Sequence, residues 1–178
     1  MENRTMENPI TSPVTDLLQS QSVYFECVEI PLSEDKKPIR SLEELLTGKG
    51  LDPKSVVRSV LFRGESGQFT LLAVAGSARA DWGLLRKHLD ERKLRMAEYG
   101  EVQEVTGYAV GAVPPIALPE DVKVLVDESI NDYETVIIGS GVLGYALALK
   151  GSELLKVLVG AEQGNFVKNS LNICAVGD

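Results

Sequence analysis

Histidine is almost missing from this sequence: His88 stands alone among 178 residues. A histidine-rich metal site and any two-histidine machinery are therefore excluded. A Ser-His-Asp triad would have to use His88, and the Gly-x-Ser-x-Gly elbow that presents such a serine is absent. Between Lys87 and Leu89, in a basic segment, His88 reads as a solvated surface residue. Cysteine is nearly as scarce. Cys27 and Cys174 lie far apart with no metal-ligand spacing beside either, so each reads as a small buried hydrophobe. No apolar run approaches the ~20 residues that a bilayer-spanning helix needs. The opening MENRTMENPITSP has neither the basic start nor the apolar stretch of a signal peptide, so a cytoplasmic protein is expected. No Walker A sequence occurs, and the acids are not spaced as an obvious carboxylate pair, so no general acid and base can be assigned from spacing.

What the chain does have is a globular composition, 44% hydrophobic and 25% charged, which excludes a wholly disordered, collagen-like or disulfide-scaffold chain. Its length suits one domain, expected to span 1–178 and to bury roughly 70% of its unfolded surface. The net charge is −8, and a uniformly acidic surface would repel phosphates. The charge is not uniform. From Arg79 to Arg95 six bases face three acids, whereas from Met96 to Leu149 nine acids face the single base Lys123. A short cationic stripe thus precedes an acidic half, although solvated helix faces produce the same pattern.

Along the chain, Ser12-Pro13 reads as a cap and first helical residue of a short amphipathic helix. Tyr24 to Ile30 alternates as a strand, and Ser41 opens a capping box that Gly48 closes after two turns. Val56 to Arg63 and Gln68 to Ala75 form the clearest hairpin, across Gly64-Glu65-Ser66-Gly67. Helices are expected over Asp81 to Leu89 and Glu98 to Val105, with a short strand, Leu94 to Ala97, between them. Gly111 to Pro115 is irregular because of its glycine and paired prolines. Strands follow at Lys123 to Val126, Thr135 to Gly139 and Tyr145 to Leu149, then a helix capped by Ser152. Residues 1–12 and 161–178 carry no assigned element. Hairpins interleaved with helices imply a mixed sheet, not a doubly wound parallel one.

Gly139-Ser140-Gly141-Val142-Leu143-Gly144 has the spacing of a dinucleotide loop, but the segment after it alternates like a strand and does not open a phosphate-binding helix. A hairpin turn is the better reading. There remain one inward-capable cation, Arg58, and two glycine loops whose unpaired backbone N–H groups suit a developing oxyanion.

The order of these segments is more specific than any one of them. Val56-Val57-Arg58-Ser59-Val60-Leu61-Phe62, then Thr106-Gly107-Tyr108-x-x-Gly111-x-Val113-x-Pro115, then Val126-Asp127-Glu128-Ser129, then Gly139-Ser140-Gly141-x-x-Gly144 resembles the YbaK and prolyl-tRNA synthetase-associated editing domain family over about residues 15–160. The resemblance implies an α/β (α+β) fold, a mixed barrel-like β-sheet surrounded by helices. It implies an aminoacyl-tRNA deacylase, acting on the ester of a mischarged tRNA by water attack without a covalent nucleophile. Arg58 and Gly111 would be catalytic. Ser59, Ala112, Val113, Pro114, Pro115, Gly139, Ser140, Gly141 and Gly144 would bind the aminoacyl group. Arg86, Lys87, Arg92 and Lys93, in the cationic stripe, are assigned to the tRNA. The implied partners are the tRNA acceptor end with its amino acid and a synthetase; no cofactor, metal or membrane is expected.

The sequence departs from the family pattern at several of these positions. Arg58 stands where lysine is usual, Ser59 where threonine is common, Pro114 where serine is frequent, Ala117 where glycine is frequent, and Val142-Leu143 where a basic pair often occurs. Arginine keeps the cation as a wider planar fork that cannot serve as a base. Three readings stay open from sequence: a deacylase, a degenerate member that binds without hydrolysis, and a small domain for protein association.

Overall fold

Two short-range signals, caps and turns, fix most of the elements in the computed structural model, which describes residues 9–35 and 41–168; Cys174 lies outside them. Helix α1, Pro13–Ser20, begins where the Ser12 hydroxyl accepts from the amides of Val14 and Thr15 and Thr15 Oγ1 accepts from the Ser12 amide. Strand β1 is Phe25–Glu29, and α2, Leu42–Gly48, is capped by Ser41. The hairpin pairs β2, Arg58–Gly64, with β3, Phe69–Val74, and Gly67 supplies the positive φ of its turn. Then come α3, Trp82–Leu89, β4, Leu94–Met96, α4, Tyr99–Thr106, and β5, Lys123–Asp127. A second hairpin joins β6, Thr135–Gly139, to β7, Tyr145–Lys150. Helix α5, Gly151–Val157, and β8, Glu162–Gly164, complete the set.

The strands form two sheets. One is antiparallel in the order β1-β7-β6; the other is mixed, β4-β2-β3-β5-β8, with β5 parallel to both its neighbours. They touch through a bridge between Val56 and Ile137, where the Val57 amide donates to the Ile137 carbonyl at 2.7 Å. This contact brings the chain entering β2 beside the middle of β6.

Side-chain alternation along each strand then sorts the core into layers. Val57, just before β2, and Leu61 of β2, with Leu71 and Ala73 of β3, point between the sheets and meet Val136, Ile138 and Leu147. Their neighbours Phe62, Leu72 and Val74 point outward onto Leu85 of α3, with Trp82 edge-on to Phe62 at 5.0 Å. On the far side Ile137, Ala146 and Ala148 pack against Leu46 of α2. Each fully buried leucine in these layers contributes about 1.5–3 kcal/mol relative to exposure. The result is the mixed α/β architecture expected from sequence, with helices outside both sheets.

Two local readings need correction. Ser152 does not cap α5: the helix starts at Gly151, whose amide donates to the Glu134 carbonyl at 2.8 Å and where a Cβ would lie 2.7 Å from the Tyr133 carbonyl oxygen. The chain after Gly160 is also structured through Lys168. Strand β8 adds to the edge of the mixed sheet, and Phe166 is buried against Leu125 and Val74. The fully buried carboxylate of Asp127 organises this return, accepting from the Phe166 amide at 2.7 Å and the Ser129 amide at 2.9 Å.

Cys27 is half-buried on β1 opposite Leu147, and burial raises its thiol pKa. His88 is not simply solvated, because its Nε2 lies 2.6 Å from Glu162 Oε1 and its ring meets Phe166 edge-on at 5.0 Å. That contact holds the Glu162 carboxyl below its usual range, with Lys123 adding to it.

Candidate active site

The bridge between β2 and β6 sets the floor of a cavity of about 470 Å³. The cavity is lined by Arg58 and Ser59 of β2, Met96, Ala97 and Tyr99 of the β4–α4 junction, Gly111 and Val113 of the loop after α4, and Ile138 and Gly139 of β6.

The loop after α4 is placed by the Thr106-Gly107-Tyr108 segment. Gly107 ends α4 with φ +83°, Thr106 Oγ1 accepts from the Tyr108 amide at 3.1 Å, and the buried Tyr108 hydroxyl donates to the Ala117 carbonyl at 2.7 Å. Burial raises the Tyr108 phenol pKa and keeps it a donor. The two glycine loops then interlock. The Gly141 amide donates to the Ala112 carbonyl at 2.9 Å, and a Cβ on Gly139 would sit 2.4 Å from the Val113 carbonyl oxygen. Gly139 has no positive φ; it is glycine because backbone occupies the space. Gly111 does need its positive φ, +98°, to turn the chain over the cavity. The Ala112 amide is used by the Ala109 carbonyl at 3.0 Å, whereas the amides of Gly111 and Val113 make no backbone hydrogen bond among the described residues.

Arg58 and Ser59 occupy opposite faces of β2. Ser59 shares the inner face with Val57 and Leu61, and its buried hydroxyl has no partner among the described residues. Arg58 Nη2 donates to the Ala78 carbonyl at 2.6 Å, in the loop before α3, while its Nε is buried without a partner. An unpaired buried polar group costs about 1–3 kcal/mol. Two in adjacent residues at a cavity are the kind of local strain that functional sites carry. No carboxylate, lysine, histidine or cysteine lines the cavity among the described residues.

Of the residues assigned from sequence, Arg58, Ser59, Gly111, Val113 and Gly139 meet at this cavity. The others do not line it. Ala112 is wholly buried beneath the loop. Ser140 is wholly buried, its hydroxyl donating to the carbonyls of Val142 and Tyr145 and its carbonyl accepting from Ser12 Oγ at 2.6 Å, so it ties the second glycine loop to α1. Gly141 faces the Tyr108 ring and Gly144 faces Leu32. Pro114 is buried, and Pro115 lines a separate cavity of about 440 Å³ beside the end of α5.

The cationic stripe gathers elsewhere. Arg86, Arg92 and Lys93 line a depression of about 640 Å³ at the Gly64 end of β2, together with Arg63 and Arg95; Lys87 does not line it. From Arg58 to Arg63 the strand covers ~17 Å, so groove and cavity lie at opposite ends of β2. Glu101 sits between Arg63 and Arg95 at 3.0 and 2.8 Å, and its carboxyl is held down at about 2. The Arg95 hydrogen bond is the main cause, followed by the Glu98 amide. Arg63, Met96 and Tyr99 were not picked out by sequence. The strand assignment of β2 carried a signal for Arg63, since it pairs with Arg95 once the stripe folds back as β4.

Residues 36–157 match the family model of the aminoacyl-tRNA editing domain. Among curated relatives, a proline–tRNA ligase of Kosmotoga olearia is 27% identical over 68% of this chain and 20% of its own length, and the YwhH protein of Bacillus subtilis is 31% identical over 71% and 80%. The chain thus spans about a fifth of the ligase and most of YwhH. The crystal structure of a candidate trans-editing enzyme for prolyl tRNA synthetase superposes with a TM-score of 0.72 at 28% identity, covering 88% of this chain and 96% of the other. The crystal structure of hypothetical protein APE2540 shares the fold, with a TM-score of 0.75 at 23% identity over 88% and 100%. No helix among the described residues is long and apolar enough to cross a membrane. With the family model matching more than half of its length, the chain belongs to the aminoacyl-tRNA editing domain family.

Proposed function

We propose that this protein hydrolyses the ester between a tRNA and a wrongly attached amino acid, as a free-standing deacylase. The observation that supports the reading is the Gly139–Val113 contact, which locks together the two glycine loops that line the cavity with Arg58 and Ser59, the amides of Gly111 and Val113 making no backbone hydrogen bond among the described residues. Water adds to the ester carbonyl carbon, and the charge that develops on the carbonyl oxygen faces these amides. Collapse breaks the bond to the ribose oxygen, which takes the proton lost by the water. Free amino acid and uncharged tRNA leave. As the family resemblance implies, the substrate's own groups assist that proton transfer, in keeping with a cavity that no carboxylate, lysine, histidine or cysteine lines among the described residues, and Arg58 positions the ester or the terminal nucleotide. The test is a panel of mischarged tRNAs incubated with the parent protein, Arg58→Lys and Arg58→Ala. The reading predicts turnover of at least one member and its loss in Arg58→Ala; survival of every ester, with no rescue by Arg58→Lys, overturns it.

A second reading, binding without hydrolysis, is favoured by the tether of Arg58 to the Ala78 carbonyl and by a cavity that no carboxylate, lysine, histidine or cysteine lines among the described residues. Saturable binding of aminoacyl-tRNA without turnover in the same panel selects it.

A further inference from the structure

Five large apolar side chains are exposed among the described residues, and two of them, Met96 and Tyr99, stand together on the rim of the cavity. Tyr99 is the more open, at 76%. It occupies the first position of α4, a turn that is unusually well anchored. The Glu98 amide donates to Glu101 Oε1 at 2.8 Å, and the same carboxylate is gripped by Arg95 and Arg63. The next residue is Gly100, where a Cβ would meet nothing within 4 Å, so this turn adds no side chain next to Tyr99. The ring is thus held by a rigid turn on the cavity rim, and the Glu101 carboxylate two residues on links that turn to Arg95 and Arg63, which line the groove at the Gly64 end of β2.

We propose that Tyr99 is a stacking platform for the 3′-terminal base of the RNA whose ester enters the cavity, a role that rests on the deacylase reading above. Exposed aromatics on which bases stack, together with cationic side chains further along the strand's path, are how single-stranded nucleic acid is held, since every base presents a π face; here the cations stand toward the Gly64 end of β2. The placement fits the order of groups at a charged tRNA end. The amino acid and ester lie within the cavity, the terminal base lies on its rim, and the preceding phosphates run toward Arg95 and Arg63. Met96 covers the edge of the base. An apolar residue of a protein partner is the competing occupant, and it would owe nothing to the RNA terminus.

The experiment uses a 5′-fluorescent RNA hairpin ending in unpaired ACCA and the same hairpin without its last adenosine, with binding read by anisotropy at fixed salt. Tyr99→Ala should weaken binding of the ACCA hairpin about tenfold, while Tyr99→Phe and Tyr99→Trp stay within about twofold of the parent. Removing the adenosine should erase the difference between parent and Tyr99→Ala. Thermal melting of Tyr99→Ala should match the parent, because the ring is exposed. Parental affinity of Tyr99→Ala for the ACCA hairpin, or an equal loss on both RNAs, overturns the platform while leaving the deacylase reading standing. A parent protein that binds neither RNA overturns both.

Discussion

The carbonyl of Val113 lies against the Cα of Gly139 so closely that no side chain fits between the two loops that frame the cavity. Gly139→Ala places a methyl 2.4 Å from backbone oxygen, and backbone cannot rotate away as a side chain would. The expected cost is about 1–3 kcal/mol of stability, in the range of other overpacked sites. Since the shifted loop carries the Gly111 and Val113 amides, deacylation should fall more than thermal stability does. Urea melts and single-turnover deacylation measured on the same preparation check the two effects.

The groove at the far end of β2 should set the salt dependence of RNA binding without touching chemistry. Each phosphate neutralised contributes roughly 0.7–0.9 to the slope of log K against log salt. Replacing Arg86, Arg92 and Lys93 with glutamine should lower that slope by about 2–3. The rate of ester cleavage at saturating substrate should remain at the parental value. An unchanged slope would remove these residues from the interface.

Glu101 predicts a pH dependence of folding. Its folded carboxyl titrates at about 2 against an ordinary 4.5, because Arg95, the Glu98 amide and Arg63 all favour the charged form. The stabilisation is therefore complete above about 4.5 and is lost as pH falls toward 2. Glu101→Gln should flatten the stability profile across that interval and leave its shape above pH 5 unaltered. Chemical denaturation at closely spaced pH values would show this.

Asp127 predicts a coupling between the mixed sheet and the C-terminal segment. Asp127→Ala leaves the amides of Ser129 and Phe166 without their acceptor in a buried setting. We expect about 2–4 kcal/mol of destabilisation from two charge-assisted bonds lost and two donors stranded. Asp127→Asn keeps an acceptor and should recover part of it. Hydrogen exchange should show residues 162–167 losing protection first.

Caps, turns and alternation made the elements readable because each is decided within a few residues: Ser12 with Thr15, Gly64 to Gly67, Ser41 with Glu44. Strand β8 was not readable, since Glu162–Gly164 has no apolar pattern and owes its conformation to β5 and to Asp127, distant in sequence. The same divide runs through the site. Gly111 and Gly139 stand out as glycines, yet only the folded chain separates the positive φ of one from the steric need of the other. The family resemblance put Ser140 among the residues that bind the aminoacyl group; its hydroxyl is spent inside its own turn. Tyr99 gave no sign in sequence, because an exposed tyrosine acquires meaning only from what it stands beside.

The parallel ladder between β3 and β5 pairs Thr70 with Lys123, about 50 residues further along the chain. Non-local pairings of this kind close late, since the entropy of a long loop is lost before the contacts compensate it. Arg58, Gly111 and Gly139 lie on three segments that this ladder and the β2–β6 bridge bring together. During synthesis the proposed site would therefore stay incomplete until β6, Thr135–Gly139, has emerged, and a fragment ending before β6 should show no esterase activity.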